Sequence, residues 1–491
     1  VRSDRPGKAR VLRAAVLVAA GLVGSVLVPA GSAAAVHGAV PGDFNGDGYR
    51  DAVLQAPGAT VSGKEAAGAV VVLYGSKSGV SSARRATITQ NSAGIPGAAE
   101  TGDAFGAATA TADLNRDGYA DLVVGSPDED TTSGVDAGSV TVLWGSKTGL
   151  SSGTTLPPRE LSGYQHVGTD VSALSLGAAA RTEVVVVSDG GSIRYQGPFT
   201  RSGTFGSSRP QDVTPSLVSA SVGDPDGDGS PEFALASVRI GGTSGGQILS
   251  DPQTSTTLYP PPDQLGGDGL VTAFGDVDGD GYDDLVAGDP DDPLPAGTKD
   301  AGGAALGGRV LVWWGSARGL LAGQAPSVIS QDTAGVPGAG EKGDAFGGSL
   351  AVADLNGDGR DEIVVGTPYE TVDTNSRTGT VTVVPGLASR ALGAGSYSVS
   401  QNTANVPGGS ETDDFFGTTV AAGDVNGDGR PELIVSAAGE NNMYGAVWVL
   451  PLGTSAPKSG GVMMLPGTVG LVTPAANQGP ELGGWGLLNT I

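Results

Sequence analysis

The chain has 491 residues, of which 84 are glycine and 31 proline, with two histidines and no cysteine. Without cysteine there can be no disulfide, no thiolate metal site and no thiol nucleophile. Against 27 Lys and Arg stand 52 Asp and Glu, a net charge of −25, which makes nucleic acid and anionic membranes poor partners.

Residues 1–35 read as a signal peptide. Arg2, Arg5, Lys8, Arg10 and Arg13 form a basic start, residues 14–28 are apolar but short for a membrane span, and Ala33, Ala34 and Ala35 supply a small-residue cleavage signature. The mature chain, 36–491, is expected to be secreted and extracellular, with no transmembrane segment.

The first acidic loop follows at once. Asp43, Asn45, Asp47 and Asp51 place side-chain oxygens at positions one, three, five and nine, and Tyr49 at position seven can offer its backbone carbonyl. Gly48 at position six suits the sharp turn of a chain curling around an ion. Oxygens converging in one short loop, with no His or Cys among them, suit a hard cation such as calcium.

The unit recurs down the chain. The second copy is Asp113, Asn115, Asp117, Tyr119 and Asp121; the third is Asp224, Asp226, Asp228, Ser230 and Glu232. The fourth is Asp276, Asp278, Asp280, Tyr282 and Asp284, and the fifth is Asp354, Asn356, Asp358, Arg360 and Glu362. The sixth is Asp424, Asn426, Asp428, Arg430 and Glu432. These are the expected ligands of about six calcium ions. An apolar run follows each loop, so position twelve (Val124, Val365 or Val435) falls in a strand. An EF-hand, with Glu at twelve and a helix behind it, is excluded.

Within a repeat, a strand precedes the loop and another follows it. A longer connection leads to a third strand such as 139–144, and a Gly-Ser turn such as 145–150 leads to a fourth. Between the second and third loops lies room for one more repeat, in which Glu183 aligns with Asp121 but the ligand positions become Ser175, Gly177, Ala179 and Arg181. That repeat is expected to keep its strands and lose its ion. His166 is placed where a Phe-Gly pair would have its Phe, so packing or partial exposure is expected of it. The shared phrases beginning at Gln90, Gln331 and Gln401 read as structural crossovers, since none contains a nucleophile beside a base.

Phe105-Gly106, Phe346-Gly347 and Phe416-Gly417 lie upstream of the loops; Gly125-Ser126-Pro127, Gly288-Asp289-Pro290 and Gly366-Thr367-Pro368 lie downstream. Together with the loops, these resemble the FG-GAP repeat of integrin alpha chains and their bacterial secreted relatives. The resemblance implies an all-β fold, a seven-bladed β-propeller with calcium-binding β-hairpin loops. It further implies a non-enzymatic adhesion or ligand-binding module, monomeric, with an extracellular protein or glycan as partner. The alternative is an extracellular propeller enzyme, a polysaccharide hydrolase or lyase. Asp128, Asp130, Asp291, Lys299 and Tyr369, on the longer loops of the face opposite the calcium loops, are the candidate ligand contacts. Residues 484–491, with Trp485-Gly486 in place of Phe-Gly, are expected to supply the first strand of the first blade and so close the ring.

Overall fold

The computed structural model describes residues 42–157, 165–176, 181–212, 216–239, 246–250, 256–257, 269–293, 305–320, 325–471, 482–484 and 486. Residues 1–35, expected to be a signal peptide, and Lys299, Trp485 and residues 487–491 lie outside the described residues. Among the described residues no helix is long and apolar enough to cross a membrane.

Among the described residues seven antiparallel sheets follow one another, spanning residues 52–88, 108–155, 165–212, 217–257, 271–329, 349–399 and 416–464, each with its strands in sequence order. The result is an all-β β-propeller. In the second sheet Ala112 faces Asp121 across the acidic loop, and Ser126 faces Ser139 at the other end of the next hairpin. The second strands, such as Asp121–Ser126 and Glu362–Thr367, are buried along their whole length. Continuous Val, Leu and Ile runs form them because both faces of a blade are covered by neighbours.

Six of these sheets are four-stranded blades, where the sequence led us to expect seven. The remaining one, 52–88, has three strands. The shortfall lies at its inner edge, where the candidate first strand falls outside the described residues. What is described there is Leu482, fully buried among Ala52, Leu54, Ile434 and Val447, and Gly483, which donates its N–H to the Gln55 carbonyl at 2.7 Å.

Apolar side chains pack between consecutive sheets. Val53 and Val72 of the first sheet meet Leu122 and Val124 of the second, and Val364 and Val383 of the sixth meet Leu433 and Val435 of the seventh. The first and last sheets meet in the same way, Leu54 and Val71 lying in one cluster with Ile434 and Val449.

Three of the inner seams are glycine on glycine. A Cβ on Gly125, Gly288 or Gly366 would lie 2.1, 2.1 or 2.2 Å from the carbonyl oxygen of Gly168, Gly347 or Gly417 in the next sheet, closer than any side chain allows. The residue ahead of each of the first two partner glycines fastens the same seam, Val167 bridging Gly138 and Phe346 bridging Gly308. Val167 therefore occupies the Phe place of its pair. This corrects the place read for His166, which stands one residue earlier, is partly exposed as expected, and joins Asp128 through Nδ1 at 2.7 Å.

Candidate metal loops and the two faces of the propeller

Each acidic loop is wound around its own carboxylates. In the first, Asp43 Oδ1 accepts from the N–H groups of Gly46 (2.6 Å) and Asp47 (3.1 Å), and Oδ2 from Gly48 (2.9 Å). Asn45 Oδ1 accepts from the Asp47 N–H at 2.8 Å, and Asp47 Oδ1 from Tyr49 at 3.1 Å. The other loops repeat this winding, with Asp113, Asp276, Asp354 and Asp424 accepting the glycine N–H at position six at 2.9 to 3.0 Å. Side chains at positions one, three and five are thereby turned toward the inside of the loop.

Position nine does something the spacing does not reveal. Asp51, Asp121 and Asp284 are fully buried, and Glu362 and Glu432 nearly so. One oxygen of Asp51 accepts from Phe44 N–H at 3.0 Å and the other from Gly75 N–H at 2.9 Å. Asp284 holds Val277 and Gly315 in the same manner at 2.9 and 2.8 Å. The residue is thus a staple between the loop and the Gly-Ser turn as well as a candidate ligand. Burial pushes these carboxyls up, Asp51 and Asp121 to about 7 and Asp284 to about 8, and carboxylates of the same loop add to the rise.

The donor set fits a hard cation. Carboxylate oxygens of Asp224, Asp226 and Glu232 lie within 4.8 Å of one another, as do those of Asp276, Asp278 and Asp284. Asp224 Oδ1 is buried without a hydrogen-bond partner, an expensive state for a carboxylate oxygen that a cation would relieve. These are the two loops with Asp at position three. The other four have Asn there, so one of their oxygens is an amide carbonyl. Arginines stand at several of the loop carboxylates: Arg201 at Asp117 (2.7 Å), Arg360 at Asp358 (2.7 Å), and Arg390 at Asp278 (2.5 Å) and Asp280 (3.2 Å). Side chains at position seven, Tyr49, Tyr119, Ser230, Tyr282, Arg360 and Arg430, would contribute only through their carbonyls.

The loopless repeat shows what stands where the others have an acidic loop. Its first two strands run on to Leu176 and Arg181, which pair directly, so the hairpin leaves only residues 177–180 between them. Glu183, the position-nine carboxylate, remains buried and forms an ion pair with Arg194. The Arg194 guanidinium also covers the Phe233 ring at 5.1 Å. A fixed cation thus stands beside the surviving carboxylate.

Hydrogen bonds of position nine to Gly75, Gly145 and Gly315 put the acidic loops and the Gly-Ser turns on one face. The opposite face carries the crossovers and the loops between second and third strands. Gln90, Gln331 and Gln401 of the crossovers donate there to Glu129, Glu370 and Glu440 of those loops. Asp128, Asp130 and Tyr369 lie on that side, Tyr369 packed edge-on against Phe415 at 5.6 Å. Sequence reasoning missed the Gln–Glu pairs, although all three share a separation of 39 residues.

Blades made of consecutive hairpins with an acidic loop in the first turn define a loop-bearing β-propeller. The FG-GAP repeat family matches residues 35–73, 105–143, 346–384 and 416–450, and the chain is an FG-GAP β-propeller protein. It is similar to integrin alpha pat-2 of Caenorhabditis briggsae and of Caenorhabditis elegans, 34% identical over 200 residues, covering 37% of this chain and 14% of each relative. It is also similar to phosphatidylinositol-glycan-specific phospholipase D of Mus musculus, 32% identical over 147 residues, covering 30% of this chain and 17% of that protein. The matched region is thus a small part of each relative.

Proposed function

We propose that this protein is a secreted, calcium-stabilised binding module that engages an extracellular protein or glycan on the face opposite its acidic loops, without catalysing a reaction. The observation that carries this reading is the unequal use of the two faces. One is given over to short loops wound around carboxylates, and the other bears longer loops of varied sequence on a rigid ring, the usual place for recognition. Similarity to integrin alpha chains supports a role in adhesion, by analogy of fold. Calcium at the six loops would hold the hairpins in shape and offset their acidity. In this reading the three-stranded sheet is a seventh blade, completed by the C-terminal segment that begins at Leu482, and the protein acts as a monomer.

The test is a glycan and extracellular-protein binding screen with and without chelator, run beside turnover assays on polysaccharides. Charge reversals at Asp128, Asp130 and Asp291 should abolish a calcium-dependent interaction, and changes at Gly145 and Ser146 should spare it. The opposite pattern would put the binding face on the wrong side. Turnover would favour the enzyme.

A further inference from the structure

The turn between third and fourth strands closes in the same way in four blades. The N–H groups of Gly79, Gly149, Gly319 and Arg390 donate to the carbonyls of Ser76, Ser146, Ser316 and Leu387 at 2.6, 2.7, 2.6 and 2.8 Å. The three glycines have left-handed φ values of 77°, 85° and 68°, and Arg390 adopts 58° at the same place. Backbone of this hand suits glycine and disfavours a residue with a Cβ, so an arginine here needs contacts that hold it.

Those contacts cross a blade boundary. From the turn of the sixth sheet, Arg390 reaches the acidic loop of the fifth, Nε donating to Asp278 Oδ2 at 2.5 Å and Nη2 to Asp280 Oδ2 at 3.2 Å. Its guanidinium covers the Trp314 ring at 4.8 Å. The Asp278 side chain is only 3% exposed, so this is no solvated surface pair. The third sheet treats the second alike. Arg201 donates through Nη2 to Asp117 Oδ2 at 2.7 Å and to the Gly145 carbonyl, and lies over Trp144 at 6.0 Å. Trp144 and Trp314 hold the same place, each directly before the first glycine of its turn.

The oxygens taken are the ones an ion would need. Oδ1 of Asp278, Asp280 and Asp117 is engaged within the loop, accepting from the N–H groups of Asp280, Tyr282 and Tyr119 at 3.0, 3.2 and 3.2 Å. Oδ2 is left to face a cation, and in each case a guanidinium holds it. A guanidinium stays charged at every pH at which proteins fold. It leaves such a site by displacement, not by losing its proton.

On the reading of these loops as calcium sites, we propose that Arg390 is the resident cation of the loop at 276–284 and Arg201 that of the loop at 113–121, and that calcium fills these loops only by displacing them. The boundary between fifth and sixth blades is then fastened by Arg390 when calcium is scarce and released from it when calcium is plentiful.

Equilibrium dialysis of the full chain over a range of calcium concentrations tests this. Arg390→Gln removes the charge and keeps a residue other than glycine in the turn; one site should then fill at roughly tenfold lower calcium. Arg201→Gln frees a single, more exposed carboxylate and should shift a different site by about threefold. Adding Asp280→Ala to Arg390→Gln should abolish the tightened site. Arg390→Gly, which restores the residue of the other three turns, should gain as much as Arg390→Gln. A gain in the glycine variant alone would assign the effect to backbone relief and overturn the proposal. Isotherms of both Arg390 variants that superimpose on the wild type, with ions bound, overturn it too and leave the calcium reading standing. No calcium bound by any form overturns that reading, and the proposal with it.

Discussion

Gly145 donates its backbone N–H to Oδ1 of Asp121 at 2.9 Å, while Oδ2 of the same carboxylate accepts from Leu114 at 3.0 Å and Asn115 at 3.4 Å. Asp121 therefore stabilises its blade before any ion arrives. Asp121→Ala should cost about 3 kcal/mol even in chelator, since it strands buried N–H groups. Asp117→Ala, at an exposed position, should lower calcium binding and leave chelated stability almost unchanged. Urea denaturation of both variants with and without calcium checks this, and equal losses in chelator would refute the difference in roles.

Calcium itself should be a large part of the stability. With a site dissociation constant of ~0.1 mM and ~1 mM calcium, each hairpin loop contributes roughly 1.4 kcal/mol. Six independent loops give about 8 kcal/mol, comparable to the whole stability of an ordinary domain. Chelator should lower Tm strongly, with a graded recovery on readdition. A melting curve indifferent to chelator would rule out structural calcium.

Asp170 offers a pH signature away from the loops. It is buried in the third sheet, accepts the Ala220 N–H at 2.7 Å, and burial raises its carboxyl well above the ordinary range. Between the unfolded value near 4 and the raised folded value, the folded chain holds a proton that the unfolded chain has released. Stability from this group is therefore present at low pH and is lost as pH rises through that window, at up to about 1.4 kcal/mol per pH unit. Asp170→Asn should flatten the dependence and match or exceed the wild type at pH 7, while Asp170→Ala destabilises by leaving Ala220 unpaired. A wild-type stability that climbs from pH 5 to pH 8 in chelator would contradict this.

Deleting residues 482–491 should cost about 3 kcal/mol, since Leu482 fills the cluster between the first and last sheets and Gly483 bonds to Gln55. The uncovered edge at Ala52–Ala56 should then recruit other copies. Light scattering on the truncated protein reads this directly. A monomer with the original Tm would mean the ring is shut by other means.

The repeat plan was legible because each blade writes the same signals at the same spacing: a loop of alternating oxygens, then a valine-rich strand. Even the loopless repeat showed itself through Glu183 and the run behind it. The partner of its remaining carboxylate was not legible, because Arg194 lies on the next strand and nothing marks it as the partner of Glu183. The double role of position nine was hidden for a related reason: its bonds to Gly75, Gly145 or Gly315 cross 24 to 31 residues. His166 was misplaced by one residue because a histidine before Val-Gly resembles the aromatic member of the pair more than the valine does.

The glycine seams fix the distance between neighbouring blades by main chain against main chain. Side chains elsewhere can then vary in bulk without changing the circumference, as a standard coupling lets unlike pipes be joined. The blade that has Arg194 beside Glu183 and no acidic loop fits the same circle as those that have the loop. It follows that the blades joined by these three seams should be transplantable among them, provided the two glycines of the seam travel along.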